Sequence, residues 1–422
     1  MPHPFVVILG KSVRYAMRLR GGGSALPGLF VEKISPDFIK NTLAQLPEGV
    51  VIISGTNGKT TTTKMVVKLL ESQGLKVFTN RTGSNFSRGV AAALLGDIDI
   101  RGKLDADIAV LEMDEAHAVK FVQTIPPRYS LLLNVMRDQL DRFGEIDATA
   151  KMLTKIAEAT TDTVVLNRED ARVLAIKDSL KDQKVAYFGL SDNLLSHFPS
   201  DDDLHNATVA STKRPAAAVV LKSYKDDQAT YSIGDHDVSL TLKLRGIYNV
   251  FNSAAALALV HTILDTKLDE KTLLEAMSKV TPAFGRGEQL EVGGQPLELV
   301  LVKNPSGFRL GLQSFAPEDY ATMIAINDDY ADGRDMSWLW DVDFTSLTEG
   351  VAQISGVRAY DMALRLQYDE ISIGTIEPEL TLALRTFIDT NSTKPKRIYC
   401  TYTAMLALRR ELSKITKVEV IS

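Results

Sequence analysis

The chain has 422 residues, 45% hydrophobic and 24% charged, globular proportions that exclude a disordered or collagen-like chain. Its 48 basic and 53 acidic side chains leave a net charge of −5, which argues against a general nucleic-acid binder. A single cysteine, Cys400, excludes an internal disulfide and a four-cysteine zinc site and fits a reducing compartment.

At roughly 100–200 residues per domain, this length suggests two or three domains. No apolar run approaches the ~20 residues of a transmembrane helix. The stretch Phe5–Gly10 is too short for a signal peptide, and Lys11, Arg14, Arg18 and Arg20 follow it instead of preceding it. A basic amphipathic helix from about Lys11 to Arg20 has two readings, a membrane or partner contact and an ordinary solvated face. Residues 21–28 read as a breaker-rich loop.

From about residue 50, short apolar runs alternate with helical segments. Gly49–Ser54, Lys76–Thr79, Ala106–Glu112 and Tyr129–Asn134 read as buried strands, and Thr60–Gln73 as a helix. Residues 190–240 carry turn clusters and short runs at Ala216–Leu221 and Val238–Leu244. They read as a peripheral, antiparallel β insertion. Helices at Val250–Leu264 and Glu270–Val280 follow, and Thr281–Glu288 reads as a domain junction. A second series then has strands at Leu297–Val302, Thr322–Asn327, Gln353–Ser355, Glu370–Ile373, Arg397–Tyr402 and Lys417–Ile421. Helices near 345–352, 358–367, 378–389 and 403–413 separate them, the rhythm of a small doubly wound domain.

The strongest motif is Gly55-Thr56-Asn57-Gly58-Lys59-Thr60-Thr61, which follows a strand and opens a helix. Small residues let backbone N–H groups close around phosphate oxygens, and the helix N-terminus favours negative charge. Lys59 supplies a point charge for the β and γ phosphates, and the Thr60 hydroxyl suits Mg²⁺. The commoner pattern has a glycine six residues before the lysine; here Ile53 stands there.

The loop resembles the ATP loop of the Mur ligases and folylpolyglutamate synthases, which phosphorylate a carboxylate and let an amine attack the acyl phosphate. Further segments match in the same order. Leu111-Glu112-Met113-Asp114-Glu115 resembles the strand end that supplies a metal ligand, which implies Mg²⁺ at Glu112; the alternative for Asp114 and Glu115 is a helix N-terminal charge pair. Arg137-Asp138-Gln139-Leu140-Asp141-Arg142-Phe143-Gly144-Glu145 is similar to the MurT family, with Gln139 where other Mur ligases carry a metal-binding histidine. Gly246-Ile247-Tyr248-Asn249-Val250-Phe251-Asn252 resembles the element that meets adenine, which implies Asn249 and Asn252; capping by Asn249 is the plain alternative.

Gly285-Arg286-Gly287-Glu288 resembles a hinge whose arginine reaches the γ-phosphate, or is a surface loop. Lys303-Asn304-Pro305-Ser306-Gly307 resembles a MurT segment and makes Lys303 and Asn304 weaker ATP or substrate candidates. The longest match is Asn327 to Asp341, which holds Ala331-Asp332-Gly333-Arg334-Asp335 and both tryptophans. In the MurT family the last aspartate of that run is thought to complete a Cys–His pair in a glutaminase partner, which implies that role for Asp335. The alternative is an aspartate capping a helix from Met336. The cysteines of the relatives' zinc ribbon are absent, so no zinc is expected.

The resemblance implies a fold and a reaction. The fold is α/β: a segment over 1–35, a Mur-ligase-like P-loop ATPase middle domain over 36–284 and a Rossmann-like doubly wound domain over 285–422. The reaction is ATP- and Mg²⁺-dependent amidation of the D-glutamate α-carboxylate in a lipid-linked peptidoglycan precursor (lipid II), to D-isoglutamine. This makes the chain the synthetase subunit of a carbon–nitrogen ligase, at the inner face of the plasma membrane, with ammonia from a GatD-like glutaminase in a heterodimer. Lys59, Arg286 and Asp335 are the expected catalytic residues. A stand-alone amino-acid ligase is the alternative; a nucleotide-dependent interaction protein without catalysis is a third class. Cys400 reads as an inert buried thiol.

Overall fold

A computed structural model describes residues 4–19, 26–80, 86–136, 146–198, 214–225, 227–244, 246–281, 286–314 and 319–418. Three helices open the described chain: α1 (Pro4–Leu19), α2 (Leu26–Ile34) and α3 (Phe38–Leu43). Leu26, Pro27 and Gly28, read above as loop, form the first turn of α2. Proline is accepted there because the first-turn N–H has no helical partner to lose. Gly28 also lies against the backbone at Arg88, where a Cβ would overlap the carbonyl oxygen.

A nine-stranded sheet follows. Its strands are β1 (Val50–Ser54), β2 (Val77–Thr79), β3 (Ile108–Glu112), β4 (Tyr129–Leu132), β5 (Thr163–Asn167), β6 (Lys184–Leu190), β7 (Val219–Lys225), β8 (Gln228–Ile233) and β9 (His236–Thr241). Spatial order is β2-β3-β1-β4-β5-β6-β7-β8-β9, parallel through β7 and antiparallel beyond. Helices α4 (Lys59–Ser72), α5 (Ser87–Asp97), α6 (Glu115–Thr124), α7 (Ile146–Glu158) and the short α8 (Ala171–Ala175) connect the parallel strands. Then come α9 (Ile247–Leu264) and α10 (Glu270–Lys279).

Strands β1 and β4 are buried on both faces, which is why they read as unbroken apolar runs. One face packs on α4, α9 and α10 through Met65, Leu69, Leu257 and Met277. The other packs on the opening helices and α5–α7 through Val31, Phe38, Leu94, Phe121 and Leu153. The alanines of α9 (Ala254, Ala255, Ala256, Ala258) are fully buried and let it lie close to α4 and the sheet.

The stretch read as a peripheral, antiparallel β insertion forms the far edge of this sheet, with β7 parallel to β6 and with β8 and β9 antiparallel. Val219, Leu221, Ala229 and Tyr231 join the same core as α9, and the Tyr231 hydroxyl meets Ser253 Oγ at 2.5 Å. Its alternating pattern belongs to edge strands with one buried face. Residues 199–213 lie outside the described residues.

The second sheet comprises β10 (Arg286–Val292), β11 (Gln295–Leu301), β12 (Ala321–Ala325), β13 (Val351–Ser355), β14 (Ile373–Ile376) and β15 (Lys396–Cys400). Its order is β10-β11-β15-β12-β13-β14, with only β10 antiparallel. The helices are α11 (Pro305–Ser314), α12 (Ala359–Tyr368), α13 (Leu380–Thr390) and α14 (Tyr402–Leu412). Helices α11 and α12 cover one face, and α13 and α14 the other.

Strands β5, β6, β8 and β10 and helices α2, α3, α5–α8 and α11 have no counterpart in the sequence reading. The helix expected near 345–352 is absent. Asp343 accepts the Thr345 N–H at 2.9 Å in a turn, Gly350 takes φ +79°, and β13 starts at Val351. The strand expected at Glu370–Ile373 begins only at Ile373, because Glu370 takes φ +58° after the end of α12. Lys417 and Val418 form no strand; residues 419–421 lie outside the described residues.

Across the second sheet, Arg397 Nε and Nη2 donate to Glu298 Oε2 at 2.9 and 2.8 Å, and Gln289 Nε2 donates to Oε1 at 2.8 Å. Both charges are buried, and the Tyr320 ring lies 4.1 Å from the guanidinium carbon. Removing one member of such a pair strands the other charge out of water. Glu298→Ala should therefore cost about 3–5 kcal/mol of stability in urea unfolding. A loss below about 1 kcal/mol would show that Arg397 finds water or another partner.

Candidate active site

The glycine-rich loop leaves the carboxyl end of β1, between β3 and β4, where open α/β sheets place their ligands. Two glycines are sterically required. Gly55 takes φ +132°, and a Cβ would fall 2.9 Å from Asn134 N. Gly58 takes φ +89°, and a Cβ would fall 2.7 Å from Asn252 Nδ2. The loop is bracketed from β4: Asn57 N donates to Asn134 Oδ1 at 2.8 Å, and Asn134 Nδ2 donates to Asn57 O at 3.0 Å. Thr56 N donates to Asn134 O at 3.0 Å, and Thr56 Oγ1 receives the Met136 N–H at 3.0 Å.

Lys59 is buried at the N-terminus of α4. Its ammonium donates to Gly55 O at 2.5 Å and Thr56 O at 3.3 Å, and pairs with Glu115 Oε1 at 3.1 Å. Thr60 Oγ1 donates to Glu112 Oε1 at 2.8 Å, so the two expected metal ligands are adjacent. The Glu112 backbone is pinned by Asn80, which accepts its N–H at 2.9 Å and donates to its carbonyl at 2.7 Å. Asp114 holds the N-cap position of α6, with Oδ1 3.3 Å from His117 Nδ1. The buried Thr61 hydroxyl has no hydrogen-bond partner among the described residues.

Beside the loop lies a cavity lined by Asn134, Met136, Asn167, Asp170, Phe188, Tyr248, Phe251 and Asn252. Phe198 lines it too, its ring 4.6 Å from Tyr248 and 5.1 Å from Phe251. Asn252 therefore touches both cavity and loop, and the half-buried Asn249 is not among the lining residues. Asn249 does not cap α9 either, since Gly246 occupies that position. Asp170 caps α8, accepting the Arg172 and Val173 N–H groups at 3.0 Å, and also receives Val135 N–H at 2.7 Å. Burial pushes its carboxyl up to about 6, against the pull of those backbone donors.

The second sheet reaches the loop through Asn304. This residue is fully buried, accepts Gly307 N–H at 2.6 Å at the start of α11, and donates to Asn57 Oδ1 at 3.2 Å. Lys303, before it, is half-buried. Arg286 opens β10 opposite Val300, and its side chain lies outside the described residues. So does the whole run Arg137–Glu145, with Gln139.

The acidic–aromatic segment follows β12. Asp332 is buried and fastens it to α14, receiving the Thr403 N–H at 2.8 Å and the Thr403 hydroxyl. Burial raises its pKa. Asn327 adds bonds to Thr401 Oγ1 (2.8 Å) and Thr403 Oγ1 (3.1 Å). Asp335 is exposed and accepts Ser337 N–H at 2.9 Å, at the head of the 3-10 turn Ser337–Asp341. Cys400 is fully buried, and burial pushes its thiol up.

Sequence reasoning thus anticipated Lys59, Thr60, Glu112 and Asn252 around one loop. It missed Asn80, Asn134, Glu115 and Asp170 as its supports. All four stand within three residues of a strand's carboxyl end, a position that marks them once the sheet order is known. Asn134→Ala removes two bonds that hold Asn57 and should weaken adenine-nucleotide binding about tenfold or more in a calorimetric titration. Unchanged affinity would mean the glycines alone set the loop.

The chain matches the family models described as "Mur ligase middle domain" over residues 53–260 and "MurT ligase C-terminal" over residues 301–405. It is 31% identical to the lipid II isoglutaminyl synthase (glutamine-hydrolyzing) subunit MurT of Streptococcus pneumoniae, covering 96% of each chain. The corresponding subunit of Staphylococcus aureus strain COL is 28% identical, over 87% of this chain and 88% of that one. In fold it is similar to MurF ligase of Thermotoga maritima in complex with ADP: TM-score 0.67, 17% identity, 90% of this chain and 84% of that one. The doubly built α/β architecture, the loop and the matched segments agree, and the chain belongs to the MurT family of Mur-type ligases.

Proposed function

We propose that this chain amidates the D-glutamate α-carboxylate of a lipid-linked peptidoglycan stem peptide, giving D-isoglutamine at the inner face of the plasma membrane. The observation that carries the reading is the exposed carboxylate of Asp335 on a segment pinned by Asp332, in a chain with a complete phosphate loop. A partner subunit is implied by the relatives' printed description as a subunit. On this reading it is a glutaminase of the GatD type, and Asp335 orients and stabilises its catalytic imidazole. Residues 1–35, 36–284 and 285–422 act as an N-terminal segment, an ATP-binding unit and a C-terminal unit.

A carboxylate is a poor acyl donor, so it must first be phosphorylated. A carboxylate oxygen attacks the γ-phosphorus of ATP, and ADP departs. Ammonia then attacks the acyl carbon, the C–O bond to phosphate breaks, and nitrogen sheds a proton. Lys59 exchanges its carbonyl and Glu115 partners for β- and γ-phosphate oxygens. The Gly55–Thr61 backbone holds the phosphates, and the cavity at Asn252 receives the base, with Asn249 nearby on the same helix. Arg286 bears on the γ-phosphate; Lys303 and Asn304 border the site.

The adjacent Thr60 hydroxyl and Glu112 carboxylate are hard oxygen donors and fit Mg²⁺. Bound there, the ion supplies charge neutralisation on the phosphates.

The test uses the purified chain, ATP, Mg²⁺ and a lipid-linked D-glutamate stem peptide, with either ammonium or glutamine plus a co-purified glutaminase. Mass spectrometry reads the conversion of carboxylate to amide. Lys59→Ala should lower product about 10³-fold or more with both nitrogen sources. Asp335→Asn should cut glutamine-dependent product about 10²–10⁴-fold and spare the ammonium reaction. Equal loss with both sources would place Asp335 in the synthetase chemistry or the fold. Silence with both, alongside turnover on a free amino acid, would favour a stand-alone ligase.

A further inference from the structure

Helix α1 is anchored along one face. Val6 and Val7 are buried, and a Cβ on Gly10 would come within 2.6 Å of Val31 Cγ2 on α2 and 2.8 Å of Leu95 Cδ2 on α5. Arg14 lies along α5, where a Cβ on Gly96 would overlap its guanidinium.

The opposite face carries Phe5, Ile8 and Tyr15, which are 64%, 55% and 67% exposed. Each residue turns an α-helix by about 100°, so Phe5, Ile8, Ser12 and Tyr15 share one arc roughly 80° wide. A helix packed on a globular core ordinarily turns polar residues outward there.

Charge points to the occupant. Residues 1–31 contain Lys11, Arg14, Arg18 and Arg20 and no Asp or Glu, in a chain of net charge −5. Burial and the neighbouring Arg14 lower the pKa of the Lys11 ammonium, and Asp97, at the end of α5, and Asp99, just beyond it, pull the other way. A second copy seated here across a two-fold axis would set cations against cations. An apolar strip on a basic helix without acids matches an anionic bilayer surface.

We propose that α1 docks the chain on an anionic lipid surface, with Phe5, Ile8 and Tyr15 in the headgroup region. Docking requires neither the amidation reaction nor the partner subunit. Where a lipid-linked substrate is used, it would hold the phosphate loop near the membrane that carries it.

The test sediments the full chain with phosphatidylcholine vesicles and with phosphatidylcholine–phosphatidylglycerol vesicles, and needs no turnover. The chain should sediment several-fold more with the anionic vesicles, and less as salt is added. The double variant Ile8→Ser/Tyr15→Ser should lose about tenfold in partitioning, with the unfolding midpoint and nucleotide affinity unchanged. No sedimentation with anionic vesicles, equal sedimentation with neutral ones, or a variant that binds like the parent would each overturn the proposal. So would light scattering that shows a dimer for the parent and a monomer for the variant, since a second copy would then cover the face.

Discussion

Asn57 ties three parts of the molecule together. Its main chain is gripped from both sides by Asn134 beyond β4, and its side chain receives Asn304 from the second sheet. A phosphate loop of glycine and small residues has little side-chain packing of its own to hold its shape. Each small residue gains backbone freedom at the cost of an anchor. Here asparagines supply the anchors, since one amide can donate and accept at once. The second sheet thus reaches the nucleotide loop through Asn304, whose oxygen is already spent on the start of α11.

The same economy governs charge. Lys59 is buried, and an ammonium out of water needs partners. It has two carbonyls of its own loop and the Glu115 carboxylate. These are positions that phosphate oxygens can take over without leaving the ammonium bare. Glu112 stands apart from that pair, fixed at its backbone by Asn80 and joined to Thr60. Glu115 thus stands beside the lysine and Glu112 beside the hydroxyl.

Much of the first sheet was legible because its central strands are buried on both faces and appear as continuous apolar runs. The loop was legible because its residue types are forced by geometry at Gly55 and Gly58. Less legible were features set by distant partners. Glu115 looks like a helix-start acid until β1 and β3 are side by side. Asn134 looks like the first residue of a motif until the loop folds over it. The strands at 219–241 were legible as peripheral and antiparallel from their turn residues, but not their seat on α9, which the burial of Tyr231 and Leu221 decides. The false helix near 345–352 shows the reverse: its residues allow a helix, and a turn at Asp343 with Gly350 prevents one.

The acidic segment after β12 shows how one motif divides its labour. Asp332 and Asp335 are three residues apart and have opposite environments. Asp332 is buried and satisfied by Thr403, with Asn327 bonded to the same hydroxyl, so the base of the segment is fixed on the start of α14. Asp335 is exposed and bonded to the nearby Ser337 backbone. Burial of Asp332 fixes the base of the segment and leaves the Asp335 carboxylate exposed. The two tryptophans extend the same logic. Trp338 goes into the core beside Phe308, whereas Trp340 stays half-exposed against Tyr368, so one anchored turn carries both an exposed carboxylate and a half-exposed aromatic ring.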